Sequence, residues 1–350
     1  IPGRYDVKVT SGGRTYDTQI EVVVAVDAIN FPDAEFMKIV EAFDTDNSGV
    51  LEVSELDVVT AIDLGGTGIA AANRHKVKDL QGIEYFYNLE EFYVRWGYLE
   101  ELDLSSNTKL TYVDAVHNSI KSLDVSGCVD LKKLYLQQEN KIGELDVSQC
   151  VKLELLQCEG AGVTSIILPN TDANGNLHLN SLDVSENSIS KLDLNEYKGV
   201  LGATDLKNQS LGYLSLNYDA ESGKYVHVGR TFGEKTELYS DSDFTAPLEG
   251  FDIENGVLIA EAGITGSGTG YFESEVIVDN TAWLLSGSFK YVLPGCIEVK
   301  EAKTLNDVSG LASYLGITGS VACTEFDKIN EGIPGRYDVK VTSGGRTYDT

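Results

Sequence analysis

Apolar residues recur along the middle of the chain with a regular long period. The motif Leu-Asp-Leu-Ser occupies 102–105, and Leu-Asp-Val-Ser occupies 123–126, 145–148 and 182–185. The first three motifs begin 21 and 22 residues apart, and further apolar residues follow each of them at matching positions. A fixed period of this length predicts a solenoid, in which each coil lays one short strand beside the last. Since one coil cannot bury its own apolar face, the stack is the folding unit.

Polar residues also keep fixed positions within this repeat. One position holds an asparagine in three coils, namely Asn118, Asn140 and Asn187. A side-chain amide at such a position can satisfy backbone groups of the turn between coils, and Ala161 replaces it once. The segment 169–180 interrupts the period, and the last clear coil spans 182–194.

Three cysteines follow the register of the repeat. Cys128 and Cys150 share a position with Asn107, and Cys158 aligns with inward-facing residues of other coils. We therefore predict that these cysteines are small buried side chains between coils and have no redox role.

A helix followed by an acidic loop is predicted before the repeat. The apolar residues of 33–43 recur at helical spacing after a Phe-Pro-Asp start. The next twelve residues, 44–55, place oxygen ligands where an EF-hand loop needs them for calcium. The six predicted ligands are Asp44, Asp46, Ser48, the carbonyl of Val50, Glu52 and Glu55. Gly49 fits the sharp bend, where we expect no room for a side chain.

This spacing predicts a structural Ca²⁺ that fixes the angle between the helix and a second short helix after it. The alternative is a vestigial loop that only forms a turn. Another polar segment, 172–176, also offers spaced oxygens. It has no glutamate at the required distance, and we interpret it as a plain polar loop.

After about residue 202 the pattern changes to alternating apolar and polar residues between Gly, Asp and Ser turns, which predicts antiparallel strands. The segments 213–217 and 225–228 flank a turn and read as a hairpin. Near the start, 4–10 and 14–26 flank Ser-Gly-Gly at 11–13, another hairpin signal. The first eighteen residues return unchanged as 333–350, at a spacing of 332 residues. The sequence therefore contains one full period and the beginning of the next.

Net charge narrows the classes of partner. The chain carries 55 acidic and 27 basic residues, which gives a net charge of −28. This balance argues against nucleic acid, whose binding needs basic patches, and suits a medium with divalent cations. No apolar run approaches the roughly 18 residues of a membrane helix. Zinc-type cysteine spacings are absent, and Cys296 with Cys323 could form a disulfide or remain free thiols.

Catalysis has little support in the sequence, and we predict that the protein is not an enzyme. The four histidines fall in different elements, and a surface position is expected for His117. The glycine-rich segment 65–68 lacks the lysine of a phosphate loop and is interpreted as a plain loop. Five aromatic residues cluster near the first coil: Phe86, Phe92, Tyr93, Trp96 and Tyr98. We expect them to form a capping core for the solenoid, and a sugar-binding platform is the alternative.

The segment 31–36, the loop 44–55, the segment 82–89 and the Leu-Asp-Val-Ser coils together resemble bacterial surface leucine-rich-repeat proteins, in which one EF-hand-like or dockerin-like piece precedes the repeats. This resemblance covers about residues 29–195. The segment 333–342 is similar to the closing strands of bacterial immunoglobulin-like modules. The resemblance implies an extracellular or cell-surface protein of bacterial type, used in adhesion or recognition.

The predicted fold is therefore multidomain: a leucine-rich-repeat solenoid with a helical EF-hand-like cap, followed by antiparallel β-sandwich (immunoglobulin-like) modules. Five segments are expected. Residues 1–28 complete an immunoglobulin-like module of the preceding repeat, 29–81 form the cap, 82–201 the solenoid, 202–294 an antiparallel β module, and 295–350 an incomplete immunoglobulin-like module.

Two functions follow as hypotheses. In the first, copies of the protein form a bead-like filament in which strands 1–26 complete the module of the neighbouring bead. The link can be covalent, as tandem repeats, or made by donated strands, and the continuity of 330–333 within one chain favours the covalent form. In the second, the solenoid face of a surface adhesin binds a protein or glycan, which requires an exposed aromatic or apolar patch.

Overall fold

The structure is a computed structural model and describes most of the chain. The described residues are 2–65, 77–197, 200–219, 222–233, 235–261, 264, 267–278, 281–293, 320–323, 339–343 and 346–349. The chain divides into two compact units. The first contains 1–212, 231–237 and 271–288, and the second contains 213–230, 238–270 and 289–350. Across the described ranges, every helix is too short or too polar to span a bilayer.

The first unit opens with a hairpin and a short helical segment. Its elements in order are β1 (Gly3–Ser11), β2 (Arg14–Val22), β3 (Val24–Ala25), α1 (Ala34–Glu41), β4 (Val50–Leu51) and α2 (Val53–Leu56). The turn between β1 and β2 has positive φ at both Gly12 (58°) and Gly13 (79°), a geometry that glycine adopts without strain and that suits tight hairpins. The predicted hairpin and helix are therefore both present.

Short strands at regular intervals build the solenoid. They are β5 (Ala61–Asp63), β6 (Glu91–Tyr93), β7 (Glu101–Asp103), β8 (Tyr112–Asp114), β9 (Ser122–Asp124), β10 (Lys133–Tyr135), β11 (Gly143–Asp146), β12 (Leu155–Gln157), β13 (Val163–Ile167), β14 (Ser181–Asp183) and β15 (Ala203–Asp205). Single 3-10 turns lie at Ile83–Tyr85 and Asn195–Tyr197. The parallel sheet runs in the order β15-β14-β12-β10-β8-β6-β5. The predicted solenoid is confirmed.

A column of buried side chains runs through this sheet because each strand contributes its central residue. The buried members are Ile62, Phe92, Val113, Leu134, Leu156 and Leu182. Two smaller parallel pairs, β7 with β9 and β11 with β13, complete the coils. Burial of several leucine-sized side chains per coil is the main source of stability in such a stack.

The four Leu-Asp-Val-Ser-type motifs do not occupy equivalent places. The first three begin at Leu102, Leu123 and Leu145, which lie in β7, β9 and β11. The fourth begins at Leu182, which lies in β14 of the long sheet and pairs with Leu156. The insertion at 169–180 shifts the motif by part of a coil. Similar sequence therefore does not mean an equivalent position after the insertion.

Side-chain amides bridge successive coils as predicted. The Asn140 amide accepts a hydrogen bond from the N–H of Ile120 (2.9 Å) and donates to the carbonyls of Ala115 (3.2 Å) and Leu136 (2.8 Å). Asn118 and Asn187 form equivalent sets. These amides are buried and supply the partners that the turn backbone needs.

Two further features complete the asparagine column. Where Ala161 stands, the N–H of Ile142 donates to the backbone carbonyl of Ala161 itself (3.1 Å). Gln209 continues the column in the next coil, since its amide accepts from the N–H of Ile189 (2.9 Å) and donates to Val184 (2.8 Å).

The remaining strands form antiparallel sheets. They are β16 (Gln209–Asp219), β17 (Lys224–His227), β18 (Thr236–Tyr239), β19 (Phe251–Glu254), β20 (Val257–Ala260), β21 (Ser267–Val278), β22 (Thr281–Val292), β23 (Ser320–Cys323), β24 (Val339–Ser343) and β25 (Arg346–Asp349). Seven of them form one sheet with the order β18-β21-β22-β16-β17-β20-β19. The expected hairpin of β16 and β17 is present.

A three-stranded sheet, β23-β24-β25, also belongs to the second unit. The structure does not confirm the immunoglobulin-like modules or the EF-hand-like helical cap, since the described helices are only α1 and the one-turn α2. Most of the predicted module 295–350 lies outside the described residues.

Candidate functional site

Helix α1 leads into the predicted calcium loop with a fixed orientation. It begins after Asp33, whose carboxylate accepts hydrogen bonds from the N–H groups of Glu35 (2.8 Å) and Phe36 (3.0 Å). Its second oxygen accepts from the N–H groups of Lys78 (2.8 Å) and Asp79 (3.3 Å). Partial burial favours the neutral acid, but the four N–H donors outweigh it and lower the pKa of Asp33. The same carboxylate thus caps the helix and ties it to the first coil.

The loop at 44–55 bends around the carboxylate of Asp44. Its oxygens accept hydrogen bonds from the N–H groups of Ser48 (2.9 Å) and Gly49 (2.8 Å), and Asp46 also accepts from Ser48 (2.9 Å). Gly49 has φ of 82° and open space around the position of a Cβ atom. The expectation that crowding requires glycine here is wrong. Its left-handed backbone is the physical reason.

Glu55 is the buried member of the loop. It is 8% exposed, and Oε1 accepts hydrogen bonds from the N–H (2.6 Å) and hydroxyl (2.8 Å) of Thr45. Burial favours its neutral form, but these donors prevail and lower its pKa. Its other oxygen accepts from the N–H of Glu52 (3.2 Å). A buried carboxylate is therefore held in its charged form at the last position of the loop.

The six predicted ligands are not all brought together. Carboxylate oxygens of Asp44, Asp46 and Glu55 lie within 4.8 Å of one another. The Ser48 hydroxyl lies 3.0 Å from Oε1 of Glu52 and 3.1 Å from the carbonyl of Val50. Ser48 therefore contacts both Val50 and Glu52 through its hydroxyl.

The three converging carboxylates fit calcium chemically. Calcium takes oxygen ligands at about 2.4 Å, so ligands of one ion lie at most about 4.8 Å apart. The carboxylate oxygens of Asp44, Asp46 and Glu55 satisfy this limit. Magnesium favours a nearly ideal octahedron and keeps most of its water, a geometry that an irregular loop does not impose. Among the described residues, this is the single group of three or more acidic, histidine or cysteine side chains with such spacing.

Strand β4, in the middle of the loop, pairs with β3, which directly follows the N-terminal hairpin. Val24 lies opposite Leu51 and Ala25 opposite Val50. The N–H of Val26 donates to the carbonyl of Gly49 (3.0 Å). The loop backbone therefore holds the root of the hairpin through a short antiparallel ladder.

A side chain of the hairpin also reaches the short helix beyond the loop. Oε1 of Glu21 in β2 accepts a hydrogen bond from the N–H of Val53 (2.8 Å), the first residue of α2. This N–H has no partner within its helix. The hairpin is thus attached on both sides of the loop.

The hairpin of β1 and β2 has two different faces. Its register pairs Tyr5 with Ile20, Val9 with Tyr16 and Gly3 with Val22. Because opposite residues of an antiparallel pair point to the same side, these side chains share one surface. We call this surface the apolar face; its members are Tyr5, Val7, Val9, Tyr16, Ile20 and Val22. Five of these six are among the exposed large apolar residues of the chain, with exposed fractions of 38–52%.

The opposite face of the hairpin is polar and internally paired. Gln19 donates to Asp6 (2.8 Å), Arg4 lies 3.4 Å from Glu21, and Lys8 lies 3.7 Å from Asp17. Thr10 and Thr15 share a hydrogen bond of 3.1 Å. One face of a two-stranded ribbon is therefore satisfied in water, and the other exposes a continuous apolar surface.

The second copy of this sequence adopts the same register. Lys340 lies opposite Asp349 and Val341 opposite Tyr348, as Lys8 lies opposite Asp17 and Val9 opposite Tyr16. In this copy the strand β24 also pairs along its other edge with β23, so that Val341 lies opposite Val321. The first copy forms a sheet of two strands, and the second copy forms part of a sheet of three.

The strand face of the solenoid carries a row of tyrosines. Tyr93, Tyr112 and Tyr135 project from successive strands, with ring centroids 4.9 and 5.4 Å apart. Burial is the main cause that raises the pKa of both Tyr93 and Tyr112 to about 12. Arg95 forms an ion pair with the buried Asp114 beside this row. Neighbouring rings of the row are tilted against each other by 35° and 38°.

The predicted aromatic cluster near the first coil divides into two sets. Phe86 and Phe92 are fully buried, and Phe86 contacts the rings of Phe31, Phe36 and Phe43 in a cap core. These residues cannot form a sugar platform.

The other members of that cluster stay near the surface. Trp96 is 39% exposed and stacks on His117 at 3.5 Å, while Tyr98 is exposed. His117 is therefore a half-buried stacking partner, where a surface position was expected. The polar loop at 172–176 centres on Asp172, which accepts from N–H groups of Asn174 and Asn176 and contacts His178.

The cysteines of the repeat are buried free thiols, as expected. Cys128 Sγ donates to the carbonyl of Leu104 (3.3 Å) and Cys150 Sγ to that of Val125 (3.6 Å). Burial raises the pKa of both thiols to about 12 and raises that of Cys158 as well. Thiols of this kind are poor nucleophiles. Cys296 lies outside the described residues, so the choice between a disulfide with Cys323 and two free thiols is not tested.

Sequence reasoning missed the tyrosine row and the two-faced hairpin. The two faces of the predicted hairpin could have been found from the sequence, since apolar residues alternate through Tyr5, Val7 and Val9 and again through Tyr16 and Ile20. The three tyrosines are 19 and 23 residues apart in the sequence. This spacing differs from the 21 and 22 residues of the repeat, so the sequence does not reveal that they form one row.

No protein-family model matches the chain, and a search of curated proteins finds no match either. Solved structures give distant similarities to proteins of Listeria monocytogenes. The functional domain of InlJ, described as including a cysteine ladder, is 13% identical over 78% of this chain and 99% of its own, with a TM-score of 0.31. Internalin C2 is 20% identical over 54% and 88%, with a TM-score of 0.31. InlP is 11% identical over 78% and 99%, with a TM-score of 0.25. Similarity at this level carries no conclusion about function.

Proposed function

We propose that the protein is the structural repeat unit of an extracellular filament of bacterial type, in which units join head to tail by β-strand completion. One observation carries this proposal. A hairpin sequence occurs twice in the chain with one register, two-stranded with an exposed apolar face in one place and three-stranded with β23 in the other. In this proposal the hairpin is the segment that recruits a further strand.

The apolar face gives the joint its driving force. Its side chains are roughly half exposed, and full burial of one large apolar side chain contributes about 2 kcal/mol. Pairing alone places the added strand beside β1 and not on this face. When the second sheet of the completed sandwich covers five half-exposed side chains, their burial contributes about 5 kcal/mol before the cost of association. Backbone hydrogen bonds along an added strand supply register and direction.

The sheet β23-β24-β25 supplies a template for the joint. In the proposed filament, a strand equivalent to Ser320–Cys323 of one unit pairs with the β1 edge of the next unit. This arrangement serves a covalent tandem repeat and a non-covalent polymer alike. Denaturing gel electrophoresis of native material distinguishes them, because a ladder or a giant band indicates covalent linkage, whereas a single band near 38 kDa indicates donated strands.

Electron microscopy of material from the producing cells tests the filament. We expect beads at regular spacing from the unaltered protein and from Thr15→Lys, which adds a charge to the polar face. Tyr16→Lys adds the same charge one residue away, on the apolar face, and should abolish the filaments. Absence of filaments from the unaltered protein, or their persistence in Tyr16→Lys, would refute the joint.

Calcium is the second part of the proposal, with Asp44, Asp46 and Glu55 as the carboxylate ligands and Ser48, Val50 and Glu52 as further oxygen donors. The ion would stiffen the loop whose strand β4 pairs with β3, and so hold the root of the hairpin. The closely spaced carboxylates support this role, since they repel one another without a cation.

Calorimetric titration of chelator-treated protein with calcium chloride tests the site. We expect one calcium per chain, with binding weakened at least about tenfold in Glu55→Gln, which removes a charged ligand. Glu41→Gln removes the same charge from an exposed position on α1 and should bind as the unaltered protein does. No heat of binding in the unaltered protein would exclude calcium from this loop.

A cell-surface adhesin that binds a protein or glycan through the solenoid is the alternative function. The row of Tyr93, Tyr112 and Tyr135 on the strand face favours it, because tyrosine side chains offer both apolar contact and hydrogen bonds. Arrays of surface proteins and glycans provide the test. Specific binding should be lost in Tyr135→Ala and retained in Tyr213→Ala, an exposed tyrosine of the second unit; retention in both would exclude this face.

A further inference from the structure

The edge of β23 is already occupied within the chain. Ser320 lies opposite Thr342, Val321 opposite Val341, and Cys323 opposite Val339. The strand that occupies it, β24, belongs to the second copy of the hairpin sequence, residues 333–350. In the proposed filament the same edge would receive the first copy from a neighbouring unit. One acceptor edge therefore has two candidate donors of identical sequence.

We propose that β24 with β25 is an exchangeable stand-in, in which β24 covers the acceptor edge of β23 until the N-terminal hairpin of a second copy of this chain replaces it. This inference rests on the proposed function and adds to it the event that controls assembly. The partner is a second copy because only its residues 1–18 reproduce the sequence that the edge already binds.

Identical sequence and register make the exchange nearly neutral in contacts. Each backbone hydrogen bond lost by β24 is regained by the equivalent residue of β1, for example Val9 in place of Val341. The balance is then set by concentration. A donor tethered through the short segment 324–338 has an effective concentration on the order of millimolar. In dilute solution the chain therefore closes on its own edge, and assembly requires crowding or release of the stand-in.

The duplication provides a matched pair of variants. Val341→Pro disrupts the central strand β24 of the stand-in, since proline lacks the N–H and is excluded from the middle of a sheet. Val9→Pro makes the same change at the equivalent position of the first copy. Both substitutions are made in the full chain, so each variant is the matched control for the other.

Sedimentation velocity at about 10 µM, well below the effective concentration of a tethered donor, separates the outcomes. The unaltered protein and Val9→Pro should be monomeric, and Val341→Pro should form dimers and longer chains. The double variant should be monomeric, because it has an open edge without a donor. The unaltered protein could instead associate as strongly as Val341→Pro, while Val9→Pro does not associate. That result would support the head-to-tail joint through the N-terminal hairpin and would refute the stand-in. If none of these proteins associates, the head-to-tail joint itself is refuted.

A peptide measurement guards against misfolding of Val341→Pro. A fluorescent peptide of residues 1–26 should bind the double variant, whose edge is open, and bind Val9→Pro at least about tenfold more weakly, because the stand-in competes. A peptide carrying Val9→Pro should bind neither. Equal binding of the first peptide to both proteins would overturn the inference, and circular dichroism of each variant checks that the solenoid is folded.

Discussion

The solenoid and the N-terminal hairpin both contain large apolar side chains, but the solenoid buries them and the hairpin leaves them partly exposed. In the solenoid, the central side chains of neighbouring strands lie at almost zero exposure. In the hairpin, side chains of the same kind are 38–52% exposed on a single face. The solenoid satisfies itself because each coil covers the next. The hairpin is a sheet of two strands, and within the part of the chain that the structure describes its apolar side chains stay partly exposed.

Polar groups show the same difference between the two regions. Buried amides in the solenoid bond backbone groups of two coils, as Asn140 does with Ile120 and Leu136. Polar side chains of the hairpin instead pair across its exposed face, as Lys8 does with Asp17. Exposed pairs of this kind contribute little to stability. The solenoid is therefore expected to determine the stability of the first unit, and the hairpin its associations.

The largest expected effect separates these roles by one equivalent truncation in each region. Leu134→Ala removes a fully buried side chain from the central column of the sheet and should lower the free energy of unfolding by about 3 kcal/mol. Ile20→Ala removes a side chain of similar size from the apolar face and should cost about 0.5 kcal/mol or less in the monomer. Urea unfolding followed by circular dichroism measures both.

The contrast fails if the two truncations cost the same. A large loss in Ile20→Ala would mean that the apolar face is already covered within the monomer. In assembled filaments the order of effects should change, because Ile20→Ala would then remove a buried contact of the joint.

The solenoid was predictable because each coil requires the same residue types at the same positions, so the repeat is visible in the sequence. Asn118, Asn140 and Asn187 recur since an amide is required wherever the turn leaves backbone groups without partners. The sequence did not indicate Gln209, because it is a glutamine and not an asparagine, although its amide makes the same hydrogen bonds. The fourth motif, at Leu182, was misleading, since the insertion before it changes which strand it enters.

The candidate sites were predictable only in part. The spacing of Asp44, Asp46 and Glu55 gave the carboxylates that converge. The sequence could not show that β4 pairs with β3, because pairing between short strands depends on how the chain folds around α1. Likewise, the repeated eighteen residues predicted a joint between units. Only the structure shows that the first copy lies in a sheet of two strands and that the second copy also pairs with β23.

A smaller effect is expected for the amide column, again with an exposed counterpart. Asn140→Ala leaves the N–H of Ile120 and the carbonyl of Leu136 without their side-chain partner inside the solenoid. Unsatisfied buried groups cost about 2 kcal/mol in total at such a site. Asn174→Ala changes an exposed residue of the 172–176 loop and should cost about 0.5 kcal/mol or less. Equal losses in urea unfolding would show that the amide bridges are not what holds the coils in register.

The smallest expected effect concerns the carboxylate that joins α1 to the first coil. Asp33→Ala removes an N-cap and should cost about 1 kcal/mol near neutral pH. Asp17→Ala removes a carboxylate from the polar face of the hairpin, where the side chain is 82% exposed, and should cost about 0.5 kcal/mol or less.

The effect of Asp33 should also depend on pH with a definite sign. Its pKa in the folded protein is lowered because four N–H groups outweigh partial burial. Its stabilisation is therefore present above the unfolded pKa of about 3.9 and is lost as the pH falls through the lower folded value. The difference in unfolding free energy between the unaltered protein and Asp33→Ala should stay constant from neutral pH to about pH 5, then shrink in more acidic solution. A difference that grows on acidification would contradict a charged cap, because a neutral acid would then be the stabilising form.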